Sequence, residues 1–251
     1  MFDRARVFVV VPAHNEQRLV ARTLRGIPPL VDGIVVVDDA SDDDTSGAAH
    51  AVGDDRVMVL RHEVNRGVGA AIATGYKHAL EHEADVVVVM AGDNQMHPHD
   101  LPSLLRPILD GAADYAKGDR LHHPEVARMP LARRLGGSVM SACTRLALGL
   151  DSLSDSQCGY TAISRRALLL LDLDALWPRF GYPNDLLGQL RERGMRTVDV
   201  VVRPVYADEK SELRARHVAV ILWLIARAAW RVRAHSLASR ATVRRPSGSD
   251  R

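Results

Sequence analysis

The sequence predicts an α/β protein built on a doubly wound, mostly parallel β-sheet. Unbroken runs of β-branched residues, at positions 7–11, 34–37 and 86–90, are typical of strands that are buried on both faces. Segments with helical spacing alternate with these runs, which favours parallel strands joined by right-handed crossovers. The 251 residues, 47% of them hydrophobic, suffice for one large domain with a sizeable core.

The elements of the N-terminal half follow from these periodicities and from turn residues between them. In order they are a strand at 7–11, a helix at 16–26, a strand at 34–37, a helix from 41 to 51, a strand at 57–60, a glycine-rich turn at 65–69, a helix at 70–82, a strand at 86–90 and a helix near 100–109. The pattern is looser beyond residue 112. There we predict a short strand at 114–117, a helix at 131–148, mixed strand and helix at 162–171, a helix at 184–193 and a strand at 198–202.

Acidic residues follow two of the predicted strands. Asp38 and Asp39 end the second strand, and Asp93 follows the run at 86–90. Ligands collect at the carboxyl ends of parallel strands. We therefore expect one site that holds a ribose and a metal-bound diphosphate.

Charge is distributed unevenly. Residues 214–251 contain nine arginines and a single acid, Asp250, so this tail carries +8 and the preceding body −6 of the total +2. A net-acidic body argues against an enzyme that acts on nucleic acid. Cys143 and Cys158 imply no disulfide framework, and the N-terminus lacks the pattern of a signal peptide, so we expect a cytoplasmic protein with reduced thiols.

Seven short motifs occur in a recognisable order. They are Val11-Pro12-Ala13-His14-Asn15-Glu16, Asp38-Asp39-Ala40-Ser41, Asn65-Arg66-Gly67-Val68-Gly69, Gly92-Asp93-Asn94-Gln95, Lys117-Gly118-Asp119-Arg120, Asp155-Ser156-Gln157-Cys158-Gly159-Tyr160, and Val202-Arg203-Pro204-Val205-Tyr206 leading to Lys210-Ser211. With these motifs the chain resembles family 2 glycosyltransferases of the GT-A fold, most of all the polyprenyl-phosphate (dolichyl-phosphate) mannose or glucose synthases. The resemblance implies a GT-A catalytic domain at 1–213, followed at 214–251 by a basic and apolar helix with a flexible tail.

The resemblance also implies a nucleotide-sugar site. Its residues would be Pro12, Ala13, Glu16, Asp38, Asp39, Ser41, Gly67, Gly69, Gly92, Asp93 and Lys117. Glu16 would lie near the ribose and Asp39 would accept hydrogen bonds from the base or ribose, while Asp38 orients the loop. The third glycine of a dinucleotide fingerprint is missing, because Ile72 stands in its place, so a nicotinamide cofactor is disfavoured.

The metal loop departs from the family pattern. Ala91 replaces the first carboxylate of the usual Asp-x-Asp, which leaves Asp93 and Gln95 as metal ligands for Mg²⁺ or Mn²⁺. Mg²⁺ retains waters and substrate phosphates as ligands, so one carboxylate beside a diphosphate can suffice. We expect a weakened metal affinity.

The remaining site residues are assigned to the acceptor or to catalysis. By resemblance, Arg120, Arg133, Arg134, Asp155, Gln157, Gly159 and Lys210 bind the acceptor and its phosphate, and Asp93, Asp185 and Arg120 are catalytic. In relatives that act on hydroxyl groups, an acid at the position of Asp185 is the general base. A prenyl phosphate needs no such base, since its second pKa is about 6, and Asp185 would then orient a sugar hydroxyl or an arginine.

The apolar stretch at 217–226 is shorter than a membrane-spanning helix and is bracketed by arginines. It predicts an amphipathic C-terminal helix that lies on the inner face of an anionic membrane, with packing on the body or an oligomer contact as the alternatives.

The function implied by the resemblance is transfer of a sugar, with inversion, from a nucleotide diphosphate-sugar to a polyprenyl phosphate. Three alternatives remain: transfer to a saccharide or secondary-metabolite hydroxyl with Asp185 as base, a non-catalytic sugar-nucleotide-binding protein, and a nucleotidyltransferase. The last lacks its glycine-rich N-terminal loop. The sequence leaves the sugar and the nucleotide base open.

Overall fold

The computed structural model describes residues 5–150, 153–205 and 215–243. Its centre is a seven-stranded sheet in the order β3-β2-β1-β4-β6-β5-β7. The strands are β1 Val7–Ala13, β2 Gly33–Asp38, β3 Val57–Arg61, β4 Val86–Val89, β5 Tyr115–Asp119, β6 Thr161–Ser164 and β7 Thr197–Val201. The predicted α/β class and mostly parallel sheet are confirmed.

Strand direction determines which loops meet at one edge of the sheet. Strands β3, β2, β1 and β4 are parallel, with Val10 of β1 opposite both Val35 of β2 and Val89 of β4. Strand β6 is antiparallel to both β4 and β5. The carboxyl ends of β1, β2, β4 and β5 and the start of β6 therefore lie at the same edge.

Eight α-helices cover the sheet within the described part of the chain. They are α1 Val20–Gly26, α2 Thr45–His50, α3 Val68–Glu81, α4 Leu101–Leu109, α5 Leu131–Leu148, α6 Arg165–Leu170, α7 Tyr182–Glu192 and α8 Ala215–Val243, with short 3₁₀ helices at Pro98–Asp100 and Pro124–Arg128. Alternate residues of the central strands face two separate cores, one shared with α3 and α7 and the other with α1 and α4. This double burial explains the unbroken valine runs.

Helix α1 begins at Val20, four residues later than predicted. The carbonyl of Glu16 accepts hydrogen bonds from the backbone N–H groups of Leu19 and Val20, so residues 16–19 form a turn that precedes the helix. The delay leaves residues 13–16 as a loop at the end of β1.

Helix α8 packs on the body of the protein. Its buried residues lie against α7 and α5, and they are Ile221, Leu224, Ile225, Ala228 and Ala229. The predicted helix is present, and these five apolar residues face the protein as in the packed alternative, whereas Leu222, Trp223 and Trp230 are exposed. Within the described residues, no helix combines the length and the apolar character needed to cross a bilayer.

Candidate active site

The end of β1 joins the two acidic loops. The N–H of Asp39 donates to the carbonyl of Ala13 at 2.9 Å, and the N–H of Gly92 donates to the carbonyl of Pro12 at 3.1 Å. Strands β2 and β4 flank β1 on opposite sides. Asp39 and the loop of Asp93 therefore converge on two consecutive residues at one edge of the sheet.

The loop that contains Asp93 approaches β1 closely. A Cβ on Gly92 would lie 3.1 Å from the Cβ of Ala13. Asp93 is half-buried, and its Oδ1 accepts the N–H of Gln95 at 3.0 Å, which fixes a short turn. No group of three or more His, Cys, Asp or Glu side chains suited to a metal occurs among residues 5–150, 153–205 and 215–243. The oxygen ligands here suit Mg²⁺ or Mn²⁺ only if substrate phosphates and water complete the set.

Asp38 is fully buried beneath the loop that follows β2. Its carboxylate accepts the N–H of Ser41 at 2.9 Å and the hydroxyl of Ser46, and it pairs with Arg61. Burial alone would raise the pKa of Asp38, but these hydrogen bonds and the Arg61 charge lower it below its ordinary value. Asp38 therefore acts as a structural anchor for the loop.

Asp39 binds the glycine-rich turn. Its Oδ1 accepts from the N–H of Arg66 at 2.9 Å and contacts the His62 ring at 2.7 Å, while Oδ2 accepts from the N–H of Gly67 at 2.6 Å. Oδ1 thus has two contacts already, and Oδ2 has capacity for one further hydrogen bond. The structure thus gives Asp39 a supporting role that sequence reasoning missed, beside the predicted contact with the nucleotide.

The loop after β1 is held against the loop after β2. Asn15, at φ 60°, donates its N–H to the hydroxyl of Ser41 at 2.9 Å, and the N–H of Glu16 donates to the hydroxyl of Thr45 at 2.8 Å. Asparagine tolerates this left-handed conformation better than most residues. Hydrogen bonds therefore join the two predicted nucleotide loops.

Residues 177–179 cover the glycine-rich turn. A Cβ on Gly69 would lie 2.1 Å from the carbonyl oxygen of Trp177, and one on Gly67, at φ 96°, would lie 2.5 Å from that of Pro178. The N–H of Ala70 donates to Pro178 at 3.1 Å. Only glycine allows this approach, so Gly67 and Gly69 determine how residues 177–179 pack on the turn.

Arg120 and Asp155 form a bidentate ion pair on the other side of the site. The Nε–Oδ2 and Nη2–Oδ1 distances are 2.7 and 3.1 Å, and Asp155 is buried. Burial would raise the pKa of Asp155, but the charge and hydrogen bonds of Arg120 hold it below the ordinary value. The predicted acceptor residues at these two positions therefore lie together.

Lys117 is buried rather than directed to solvent. Its ammonium donates to the carbonyl oxygen of Cys158, and burial lowers its pKa. The predicted contact with a donor phosphate would require the side chain to leave this position. In the structure, Lys117 instead supports the loop before β6.

The loop before β6 reaches the metal loop. A Cβ on Gly159 would lie 3.2 Å from the methyl group of Met96, and the hydroxyl of Tyr160 donates to the carbonyl of His97 at 3.3 Å. The Gln157 amide donates to the Ser156 hydroxyl at 2.8 Å. The residues at 155–160 and the loop at 91–96 thus border one region.

The other predicted acceptor residues are less central. Arg133 and Arg134 lie in the first turn of α5, two turns before Ser141, whose hydroxyl bonds Ser156. Lys210 lies outside the described residues.

Asp185 is completely buried, and both of its carboxylate oxygens accept hydrogen bonds from the protein. Arg227 and Arg231 of α8 bond Oδ1 at 2.6 and 3.2 Å, and the N–H of Trp177 donates to Oδ2 at 2.9 Å. A general base must reach the proton it removes. This geometry does not support Asp185 as a base and makes it a link between α7, α8 and Trp177.

Sequence reasoning missed several supporting residues. Arg61 is the last residue of β3, the neighbour of β2, and His62 directly follows it, so their position at a strand end was a usable signal. The packing of residues 177–179 on the glycine turn joins positions more than one hundred residues apart, and no local pattern indicates it.

The chain is similar to known glycosyltransferases. The family model described as Glycosyl transferase family 2 matches residues 8–171. The chain is 28% identical over 230 residues to a UDP-N-acetylglucosamine–dolichyl-phosphate N-acetylglucosaminyltransferase of Methanococcus voltae, covering 85% of this chain and 91% of the relative. It is 32% identical over 203 residues to an undecaprenyl-phosphate mannosyltransferase of Micrococcus luteus, with 78% and 82% covered.

A solved structure shares the fold. Glucosyl-3-phosphoglycerate synthase of Mycobacterium tuberculosis, in complex with Mn²⁺ and UDP-glucose, superposes with a TM-score of 0.66 at 27% identity, covering 90% of this chain and 80% of the other. The predicted GT-A architecture is confirmed. The chain belongs to glycosyl transferase family 2.

Proposed function

We propose that the protein transfers a sugar from a nucleoside diphosphate-sugar to a polyprenyl phosphate, with inversion at the anomeric carbon. An oxygen of the prenyl phosphate attacks the anomeric carbon, the bond from that carbon to the diphosphate breaks, and the nucleoside diphosphate leaves with the bonding electrons. The observation that carries this proposal is the convergence of Asp39 and the Asp93 loop on Pro12 and Ala13.

The donor is assigned to the loops after β1, β2 and β4. Glu16 and Asp39 would contact the ribose or base, with Ala13, Ser41 and the turn at 65–69 shaping the pocket. The Asp93 loop would receive the diphosphate. A metal ion held by Asp93 and Gln95 would neutralise charge on the departing diphosphate, as the Mn²⁺ in the related complex supports.

The acceptor phosphate is assigned to the side of the site that contains Arg120. Guanidinium groups suit bidentate contact with phosphate oxygens. The ion pair with buried Asp155 fixes the orientation of Arg120, while it also offsets part of the guanidinium charge. Gln157 and Gly159 lie in the same loop, and Arg133 and Arg134 would approach from α5.

A phosphate acceptor also agrees with the surroundings of Asp185. Attack by a hydroxyl group needs a base, whereas a phosphate monoester is largely ionised near neutral pH. Asp185 has both oxygens bonded inside the protein. Because these bonds leave Asp185 poorly placed to act as a base, they support the phosphate acceptor over the saccharide alternative.

The same acceptor would place the enzyme at the inner face of the membrane, since a prenyl chain lies in the bilayer. Two relatives are named for dolichyl-phosphate and undecaprenyl-phosphate, which supports a lipid-linked acceptor. Helix α8 does not carry this membrane location, because Ile221, Leu224 and Ile225 of its apolar run pack on α7 and α5, although Leu222, Trp223 and Trp230 are exposed.

The test is a transfer assay on the purified full chain. UDP-, GDP- and dTDP-sugars are supplied with a water-soluble short-chain prenyl phosphate or with a panel of saccharides, in Mn²⁺ or in EDTA, and products are identified by mass spectrometry. We expect a prenyl-phosphate sugar in Mn²⁺ and about 10²-fold less of it from Asp93→Asn, with Asp110→Asn, a substitution at the end of α4, as the control. Transfer to a saccharide hydroxyl, or donor binding without turnover, would overturn the proposal.

A further inference from the structure

Helix α5 buries mostly polar residues and exposes apolar ones, the reverse of an ordinary surface helix. Its buried residues are Ser141, Thr144 and Leu148, so two of the three inward side chains are hydroxyls. A surface helix normally buries an apolar stripe and exposes polar residues. Helix α5 therefore directs much of its apolar surface away from the protein.

The outward residues form one continuous stripe. Leu131, Leu135, Val139 and Leu146 are 68%, 58%, 60% and 78% exposed. At 3.6 residues per turn they fall within an arc of about 80°. We call these four residues the α5 stripe. Exposed apolar surface that is contiguous marks a contact with a partner or a membrane.

The charge of α5 identifies the kind of surface. The helix contains Arg133, Arg134 and Arg145 and no acidic residue. Arg134 and Arg145 project about 60° and 40° to one side of the axis through Leu131, beside the α5 stripe. An apolar stripe flanked by arginines matches a bilayer with anionic headgroups.

A second copy of the chain fits this face less well. A two-fold contact would set the α5 stripe against itself, because such contacts use the same patch on both subunits. Arginines would then face arginines, with no acid on the helix to offset them.

Helix α5 also contacts the acceptor side of the site, through its buried residue Ser141. The Ser156 N–H donates to the Ser141 hydroxyl at 2.8 Å, and Ser156 adjoins Asp155, the partner of Arg120. A bilayer against α5 would therefore bring headgroup-level phosphate near this loop.

We propose that the α5 stripe, with Arg134 and Arg145, docks the protein on an anionic lipid surface. The link to a prenyl acceptor rests on the proposed function, whereas docking is measured without any substrate. The outcomes for docking and for sugar transfer are thus separate.

The experiment is co-sedimentation of the full chain with vesicles of phosphatidylcholine alone or of phosphatidylcholine with phosphatidylglycerol. We expect binding to the anionic vesicles and at least a tenfold loss in the variant Leu131→Gln/Leu135→Gln/Val139→Gln. The matched control is Leu169→Gln/Leu170→Gln, which changes two exposed leucines of α6 and should bind as the wild type does.

A second variant, Arg145→Gln, tests the contribution of charge, and it keeps the proposal testable even if the triple variant misfolds. Arg145→Gln should reduce binding to anionic vesicles about fivefold, from roughly 1 kcal/mol per basic residue, and leave the melting temperature unchanged. For the triple variant, transfer to a short-chain acceptor should persist and transfer to a long-chain acceptor in vesicles should fall. Equal vesicle binding by wild type and triple variant, absence of wild-type binding, or a wild-type dimer that the triple variant converts to monomer would each overturn the proposal.

Discussion

Arg227 of α8 donates a 2.6 Å hydrogen bond to Asp185, a carboxylate that is completely buried in the first turn of α7. The other oxygen of Asp185 accepts the N–H of Trp177, and the carbonyl of Trp177 packs on Gly69. The guanidinium also lies 5.1 Å from the centre of the Trp223 ring. The C-terminal helix is thereby coupled to the segment that covers the glycine-rich turn.

Removing the charge of Arg227 should destabilise the fold. Arg227→Gln leaves Asp185 with the Trp177 N–H and with one of its two arginine partners, Arg231, so we expect a loss of about 1–3 kcal/mol in the free energy of unfolding. In a cycle with Asp185→Asn the two effects should be less than additive, because the residues interact directly. Urea denaturation of the four proteins measures this. Full additivity would show that the pair is not coupled.

The same variants should separate a structural role of Asp185 from a catalytic one. If Asp185 positions Trp177, then Asp185→Asn and Arg227→Gln should both raise KM for the donor, with kcat within about tenfold of the wild type. Loss of a general base instead lowers kcat by roughly 10²–10⁴. Steady-state kinetics with varied donor distinguish the two. A collapse of kcat in Asp185→Asn alone would contradict the positioning role.

Glycine at position 69 is required by packing. In Gly69→Ala the Cβ would meet the Trp177 carbonyl at 2.1 Å, so the covering segment must move. We expect a loss of about 1–3 kcal/mol in stability together with weaker donor binding. In the control, Gly136→Ala, the Cβ meets nothing within 4 Å and lies in α5, so this variant should gain about 0.5–1 kcal/mol. Thermal unfolding with and without donor tests both variants.

The parallel half of the fold was predictable because strands that are buried on both faces consist of unbroken runs of β-branched residues. The valine runs of β1, β2 and β4 predicted the strands and their parallel direction, and hence that Asp39 and Asp93 lie at one edge of the sheet. For Asp39 and Asp93, a position just after a predicted strand was sufficient to predict that they lie at the same edge.

Long-range contacts were not predictable in the same way. The apolar run of α8 has the same composition whether it meets lipid or α7, and only the structure distinguishes the two. Lys117 and Asp185 follow the family motifs, yet both are buried and bonded inside the protein. The sequence shows which residue types are present, whereas their exposure depends on segments more than forty positions away.

Stimulation of sugar transfer by Mn²⁺ should depend on Asp93. Asp93→Asn retains the size and the turn acceptor but removes the charge, so we expect a fall of about 10²-fold in Mn²⁺-stimulated transfer. Titration of activity with Mn²⁺ measures the effect, with Asp110→Asn as the matched control. Activity that is unchanged in Asp93→Asn would remove Asp93 from the metal site.

Restoring the missing carboxylate should strengthen metal binding. In Ala91→Asp a second acidic side chain stands two residues before Asp93, at a half-buried position. Since hard cations bind more tightly as carboxylate ligands are added, the Mn²⁺ concentration for half-maximal activity should fall. Ala91→Asn, which has the same shape without the charge, is the control. An equal response from both variants would count against a metal contact at this position.

Acid should destabilise the protein through Asp155 and Arg120. Asp155 has a folded pKa below its ordinary value of about 3.9. Between those two values the unfolded chain binds more protons, so stability rises with pH there. The contribution is complete above the ordinary value and is lost as the pH falls through the folded one. Arg120→Gln should therefore cost more stability at neutral pH than near pH 3, as measured by urea midpoints across that range. Arg145→Gln, at an exposed arginine, should leave the pH dependence unchanged, and an equal loss at both pH values in Arg120→Gln would contradict the coupling.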